Sequence, residues 1–186
     1  DHMEYYEKTI STELKYKGNI IDVEKLIVEL PDGKLASRDV IRNAGASVIV
    51  PVIDDEIILV QQYRKPPEKM FIELPAGKLE YGEDPAVCAA RELKEETGYS
   101  AKELIKIMEL YPAPAVSDEV LHIYLATGLV KGEASPDEGE FITAKAYKIS
   151  EALSMIEQGI INDGKTVAGI LFASRYLIKN NLNSGS

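Results

Sequence analysis

The sequence predicts an α/β or α+β protein, and three observations carry that reading. Short runs rich in β-branched residues recur along most of the 186 residues, as strands require. One stretch near the middle and two at the end have helical spacing instead. Strands and helices therefore interleave, without internal repeats or a low-complexity linker, which is the pattern of mixed layers.

In chain order, "NIIDVEKLIVELPDGKLASRDVIR" places β-branched runs on both sides of Pro-Asp-Gly, a turn sequence. It predicts a hairpin of Ile21–Leu30 with Lys34–Ile41, inside a strand-rich segment that ends near residue 42. A sheet this small buries little by itself and must pack on the main body or on a partner. "SVIVPVI" and "EIILVQQYR", joined by "DDE", predict a second hairpin. "FIELPAGKLEYGEDP" reads as a short strand and a Gly/Pro-punctuated loop, and "AVCAARELKEETG" as a helix. "ELIKIMELYPAPAVSDE" is a strand ending in a proline-broken loop. "VLHIYLATGLV" is another strand, "EASPDEGE" an acidic loop, and "FITAKAYKI" a further strand. "SEALSMIEQG" and "GKTVAGILFASRYLIKN" close the chain as helices, the second with apolar residues at 167, 170, 171, 177 and 178.

Composition bounds the function. Hydrophobic residues are 45% and charged residues 28% of the chain, enough apolar material for a core. No run approaches the ~18 apolar residues of a membrane span, and the acidic, polar "DHMEYYEKT" does not read as a secretory signal. Lys and Arg number 21 against 31 Asp and Glu, a net charge of −10. That surface argues against non-specific nucleic-acid binding, which relies on cations to displace counterions. It leaves room for a small anionic substrate, because a bound metal reverses the local sign. The single cysteine, Cys88, permits no intramolecular disulfide and fits a reducing cytoplasm. Beside alanines, it reads as a small buried filler. His2 and His122 carry no expected catalytic role.

The central helix is the informative one. Asp84 is placed to cap it, Pro85 to open it and Gly98 to end it. At about 100° per residue, Ala86, Ala89, Ala90, Leu93 and Thr97 share a packing face. Glu92, Glu95 and Glu96 fall on an adjoining arc about 100° wide by the same geometry. Carboxylates crowded in this way repel one another, and a hard divalent cation among them relieves the repulsion with the oxygen ligands it prefers.

Read in full, residues 77–99, "GKLEYGEDPAVCAARELKEETGY", resemble the Nudix box, the loop–helix–loop signature of hydrolases that cleave a nucleoside diphosphate linked to another group. Gly77, Glu83, Arg91, Glu92, Leu93, Glu95, Glu96, Gly98 and Tyr99 fill its defining positions. The resemblance implies an α/β/α sandwich around a mixed sheet, with a Nudix domain over residues 43–182 and a β-rich dimerisation segment over residues 1–42. It implies metal ligation by Glu92, Glu96 and the carbonyl of Ala76, completed by Glu95, with Arg91 orienting the glutamates. It also implies that Glu83 steadies the loop and helix, with Gly77 and Gly98 where the backbone must turn sharply. "SPDEGEFI" supplies two more candidates by the same resemblance, Glu138 as the water-activating base and Glu140 as an added metal ligand.

Three flanking segments, "ELPAGKLE", "QQYR" and "YPAPAVSDE", are similar to those of ADP-ribose pyrophosphatases. Pro114, 15 residues past Tyr99, matches a proline that helps mark substrate class there. Ala113 and Ala115 depart from the Ser-Pro-Gly found in many such enzymes. Arg64 and Glu73 join Pro114 on the implied substrate side, and "DGKT" at 163–166 resembles a late segment that opens the final helix. The function implied is Mg²⁺-dependent hydrolysis of ADP-ribose to AMP and ribose 5-phosphate, with Mn²⁺ as a substitute metal, by a cytoplasmic homodimer. Hydrolysis of another nucleotide conjugate is the enzymatic alternative. A sensor that binds ADP-ribose without cutting it is the non-enzymatic one, and it has no need of the full carboxylate set.

Overall fold

In the computed structural model, residues 5–135, 139 and 141–183 are described, with side chains as far as residue 179. The chain divides into two compact units. One takes the residues up to Gly45 together with Tyr111–Val120, and the other takes Ala46–Leu110 and everything from Leu121 onward.

The first unit is a three-stranded antiparallel sheet of β1 (Lys8–Lys17), β2 (Ile21–Glu29) and β3 (Leu35–Asn43), paired in that order. β2 and β3 lie within two residues of the expected hairpin. Pro-Asp-Gly makes its turn because Gly33, at φ +82°, occupies the left-handed region that a side chain resists. β1 is an additional strand, exposed at every residue. The Tyr111–Val120 loop is tied to β3: Ile41 N donates to Val116 O at 2.7 Å, and Asp118 N donates to Ile41 O at 3.2 Å. Arg42 bonds both Glu24 (2.8 Å) and Asp118 (3.1 Å).

The second unit is built on a seven-stranded sheet. Its strands are β4 (Ala46–Ile53), β5 (Glu56–Arg64), β6 (Lys69–Glu73), β7 (Ala76–Lys78), β9 (Glu103–Leu110), β10 (Leu121–Thr127) and β12 (Thr143–Lys148). Their order is β12-β5-β4-β10-β9, with β6 on β5 and β7 on β4. β10 runs parallel to β4 and the other pairings are antiparallel, so the sheet is mixed. A separate ribbon pairs β8 (Tyr99–Ser100) with β11 (Val130–Lys131). The helices are α1 (Pro85–Thr97), α2 (Ile149–Glu157) and α3 (Gly164–Asn183).

Strand alternation explains the layers. Successive side chains point to opposite faces, and β4 and β10 are apolar on both. Val48, Val50, Val52, Leu121, Ile123 and Leu125 pack with Ala152 of α2 and with Ile170 and Ala173 of α3. Ile49, Tyr124 and Ala126 pack with Ala89 and Leu93 of α1. Helices thus cover both faces, giving the α/β/α sandwich.

Two helical faces differ from the sequence expectation. Ala90 is exposed, while Cys88, Ala89, Leu93, Glu96 and Thr97 are buried. In α3 the buried stripe is Thr166, Gly169, Ile170 and Ala173, and Leu171 and Ile178 are exposed. The reason is close approach: a side chain at Gly169 would collide with Leu74 and Val50. Small residues let the helix reach the sheet, and they outweigh larger apolar ones next to them. Among the described residues no helix is long and apolar enough to cross a membrane.

Candidate active site

The site begins with how α1 is held. Asp84 caps it, accepting from Ala86 N at 2.7 Å, and Pro85 follows at the first position. Gly98, at φ +77°, ends it and donates its N–H to Lys94 O at 2.9 Å. Ser47, fully buried in β4, donates to Pro85 O at 2.7 Å and fastens the helix start to the sheet.

Arg91 gathers the acids. Its Nε donates to Glu83 Oε1 (3.1 Å) and its Nη2 to Glu83 Oε2 (3.1 Å). Its Nη1 donates to Glu92 Oε1 (2.6 Å) and Glu95 Oε2 (3.1 Å). Glu83 closes the preceding loop by accepting from Glu80 N at 3.0 Å. These bonds, Glu83 foremost, raise the Arg91 pKa against the cost of burial. Arg91 in turn holds the Glu83 carboxyl below its ordinary range.

The carboxylates lie on the backbone of β7. The Glu92 carboxylate packs so tightly on Gly77 that any Cβ there would overlap it, and a side chain at 77 would push the carboxylate off the β7 backbone. Glu96, 6% exposed, accepts from Ala76 N at 3.1 Å. Pairing of Ala76, Gly77 and Lys78 with β4 fixes this backbone in place. An all-oxygen donor set of Glu92, Glu95, Glu96 and the Ala76 carbonyl suits a hard divalent cation. As the side chains stand, no three acidic, imidazole or thiol groups among the described residues converge on one point. Arg91 engages Glu92 and Glu95, and Ala76 N–H engages Glu96.

A second cluster borders the same segment. Glu73, 2% exposed at the end of β6, accepts two bonds from Arg64: Nε to Oε1 at 2.8 Å and Nη2 to Oε2 at 2.6 Å. Lys165 donates to Glu73 Oε2 (2.9 Å) and to Asp163 Oδ2 (2.8 Å). Asp163 also takes the hydroxyl of Thr166 (2.6 Å), whose oxygen accepts from Leu74 N at 2.9 Å. Burial pushes the Glu73 pKa up, but Arg64 and Lys165 outweigh it and leave the carboxyl below its ordinary value.

The expected residues thus fall into groups. Ala76, Gly77, Glu83, Arg91, Glu92, Glu95, Glu96 and Gly98 surround α1 and β7, and Arg64 and Glu73 hold each other beside them. Pro114 belongs to the other unit, in the loop carried by β3. Glu138 and Glu140 lie outside the described residues. His122 stays apart: its Nδ1 is buried without a hydrogen bond, 3.5 Å from Glu109. Cys88 is buried, as a filler is expected to be. Four residues outside the expected set also shape the site: Ser47, Asp163, Lys165 and Thr166. The available signal for the last three is the "DGKT" string itself.

Residues 43–168 match the NUDIX domain family, and residues 7–41 match the nucleoside diphosphate sugar hydrolase N-terminal domain. The chain belongs to the Nudix family. It is a pyrophosphohydrolase of that family, whose members generally depend on divalent metals. It is similar to the ADP-ribose pyrophosphatase of Bacillus subtilis (strain 168), with 41% identity over 169 residues, 89% of this chain and 91% of the relative. It is equally similar to the methanol dehydrogenase activator of Bacillus methanolicus, 41% over 171 residues, 90% and 92% of the two chains. A crystal structure of an ADP compounds hydrolase superposes with a TM-score of 0.83 over 94% of this chain and 95% of that one; at 23% identity, that likeness concerns the fold alone.

Proposed function

We propose that this Nudix hydrolase cleaves the diphosphate of ADP-ribose in the presence of Mg²⁺, giving AMP and ribose 5-phosphate. One observation carries the reading: Glu92, gripped by Arg91, and Glu96, bonded by Ala76 N–H, lie side by side against the Ala76–Gly77 backbone. The likeness to the Bacillus subtilis enzyme supplies the substrate class. Glu92, Glu96 and the Ala76 carbonyl would hold the cation, with Glu140 added to them, and Mn²⁺ suits the same oxygens. Such an ion neutralises diphosphate charge and makes water more acidic.

The chain's own groups do the rest. Glu138 takes a proton from water, whose oxygen forms the new bond to one phosphorus. The bond from that phosphorus to the bridging oxygen breaks, and the bridging oxygen leaves with the other phosphate. Arg64 offers a guanidinium to phosphate oxygens. Arg91 keeps Glu92 and Glu95 from splaying apart. Pro114 shapes the loop that sets specificity. The flanking Ala113 and Ala115 depart from the Ser-Pro-Gly of many such enzymes, so another nucleotide sugar or a dinucleotide is the second reading.

Incubation with ADP-ribose and Mg²⁺, followed by product identification, is the test, run beside a panel of nucleotide sugars and dinucleotides. AMP and ribose 5-phosphate, formed faster than the products of any panel member, are expected. Faster cleavage of another conjugate would replace the substrate.

The N-terminal sheet supports a further reading, that the protein is a homodimer. β1 is an edge strand with Ile10, Leu14 and Tyr16 exposed, and an open edge of this kind pairs with another chain unless covered. Light scattering should give twice 20.5 kDa, and a monomer at all concentrations would remove the reading. A cytoplasmic location, inferred from the lone Cys88, is checked by fractionation.

A further inference from the structure

Glu73 carries more positive charge than it needs. One cation suffices to compensate a buried carboxylate, and Arg64 already supplies it through a two-pronged bond at 2.8 and 2.6 Å. Lys165 comes to the same carboxylate from the first turn of α3, across 92 residues of chain. It is no direct ligand for substrate: only 14% of its side chain is exposed, and its ammonium is engaged by Glu73 and Asp163. Its effect falls on Arg64, whose side chain is 41% exposed and whose Nη1 makes no hydrogen bond among the described residues.

The charges show what the extra cation does. Arg64, Lys165, Glu73 and Asp163 sum to zero. Without Lys165 the cluster would be −1, and the arginine would be spent on cancelling Glu73. Such a group meets an anion poorly. Glu73 is the chief cause of the raised Arg64 pKa, and Glu96 of the box adds a weaker pull, so Arg64 stands within electrostatic reach of the carboxylates on α1. The segment between the clusters is short and pinned at alternate residues, Leu74 N by Thr166 and Ala76 N by Glu96.

We propose that Lys165 is a positioning residue for diphosphate binding: by sharing Glu73 it fixes the guanidinium plane of Arg64 and offsets the carboxylate charge, leaving the outward edge of Arg64 for a phosphate oxygen. This rests on the reading above that Arg64 meets the diphosphate.

Full-length Lys165→Met and Lys165→Arg, compared with the unaltered chain, test it by steady-state kinetics with inorganic pyrophosphate as inhibitor. Lys165→Met should raise KM and the pyrophosphate Ki together by about tenfold, with kcat changed by less than about threefold, and Lys165→Arg should recover most of the loss. A lower melting temperature with KM and Ki unchanged overturns the proposal, since a purely structural lysine would behave so. In a Glu73→Gln background the methionine should add less, because the carboxylate that Lys165 shares with Arg64 has lost its charge and only Asp163 remains; fully additive effects also overturn it. Should Lys165→Met not fold, Lys165→Gln gives the same two readouts. Failure of the unaltered chain to turn over ADP-ribose removes that substrate only, because the Met-to-Arg ratio is then read on the conjugate that is cleaved.

Discussion

Two charge clusters border the segment from Glu73 to Gly77, and they are built differently. In the first, Arg91 reaches no farther than the Lys78 carbonyl, 13 residues away, and its carboxylates stay partly open, with 27% of the Glu95 side chain exposed. In the second, Lys165 reaches Glu73 across 92 residues, and the carboxylate at its centre is 2% exposed. An open cluster can exchange an arginine contact for a cation and a substrate. A buried carboxylate such as Glu73 has no room for exchange, and its use is to hold a shape, here that of the more exposed Arg64. Chemistry is therefore expected at Arg91 and its glutamates, and geometry from Glu73 and its cations.

The largest effect expected is on the open side. Glu92→Gln and Glu96→Gln should each lower kcat by about a thousandfold, about 4 kcal/mol of transition-state stabilisation, while urea unfolding barely changes. A loss under about tenfold would erase the difference between the clusters. The closed side should show the reverse emphasis. Glu73→Ala strands two cations and should cost about 3 kcal/mol in urea unfolding; a cost below about 1 kcal/mol would make the cluster ornamental.

The two helix caps sharpen the contrast. Asp84 serves one backbone N–H, and Asp84→Ala should cost about 1 kcal/mol. Asp163 serves Lys165 and both the N–H and hydroxyl of Thr166, so Asp163→Ala should cost about 2 kcal/mol. Equal costs by thermal or urea unfolding would show that the tertiary links add nothing. The smallest effect concerns acid. The folded-state pKa of Glu73 lies below the ordinary value, so as pH falls the unfolded chain takes up its proton first. The stabilisation is complete above the ordinary glutamate value of about 4.3 and disappears as pH falls through the lower folded value. Glu73→Gln should flatten the stability curve in that acid range, and an unchanged slope would count against the pairing.

Much of the site is legible before folding. The caps at Asp84 and Gly98, the common side of Glu92, Glu95 and Glu96, and the turn at Gly33 depend on residues within a few positions of one another. Gly77 belongs to the recognisable pattern, but the Glu92 carboxylate lying on it appears only in three dimensions. The exposed Ala90 and Leu171 show where periodicity misleads: spacing says which residues share a side, and the partner surface says which side is buried. Ser47 gives no signal at all, as an ordinary serine in an apolar strand.

By itself the sequence determined the main hairpins, the box helix with its caps and the family to which the chain belongs, because hydrogen bonds and side-chain spacing within a turn or a hairpin are set locally. Tertiary structure alone decided that α3 meets the sheet through Gly169 and Ala173, that Lys165 shares Glu73 with Arg64, and that the loop of Pro114 is carried by β3. Those pairings join residues far apart in the chain, and only the closure of the intervening chain brings them within bonding distance.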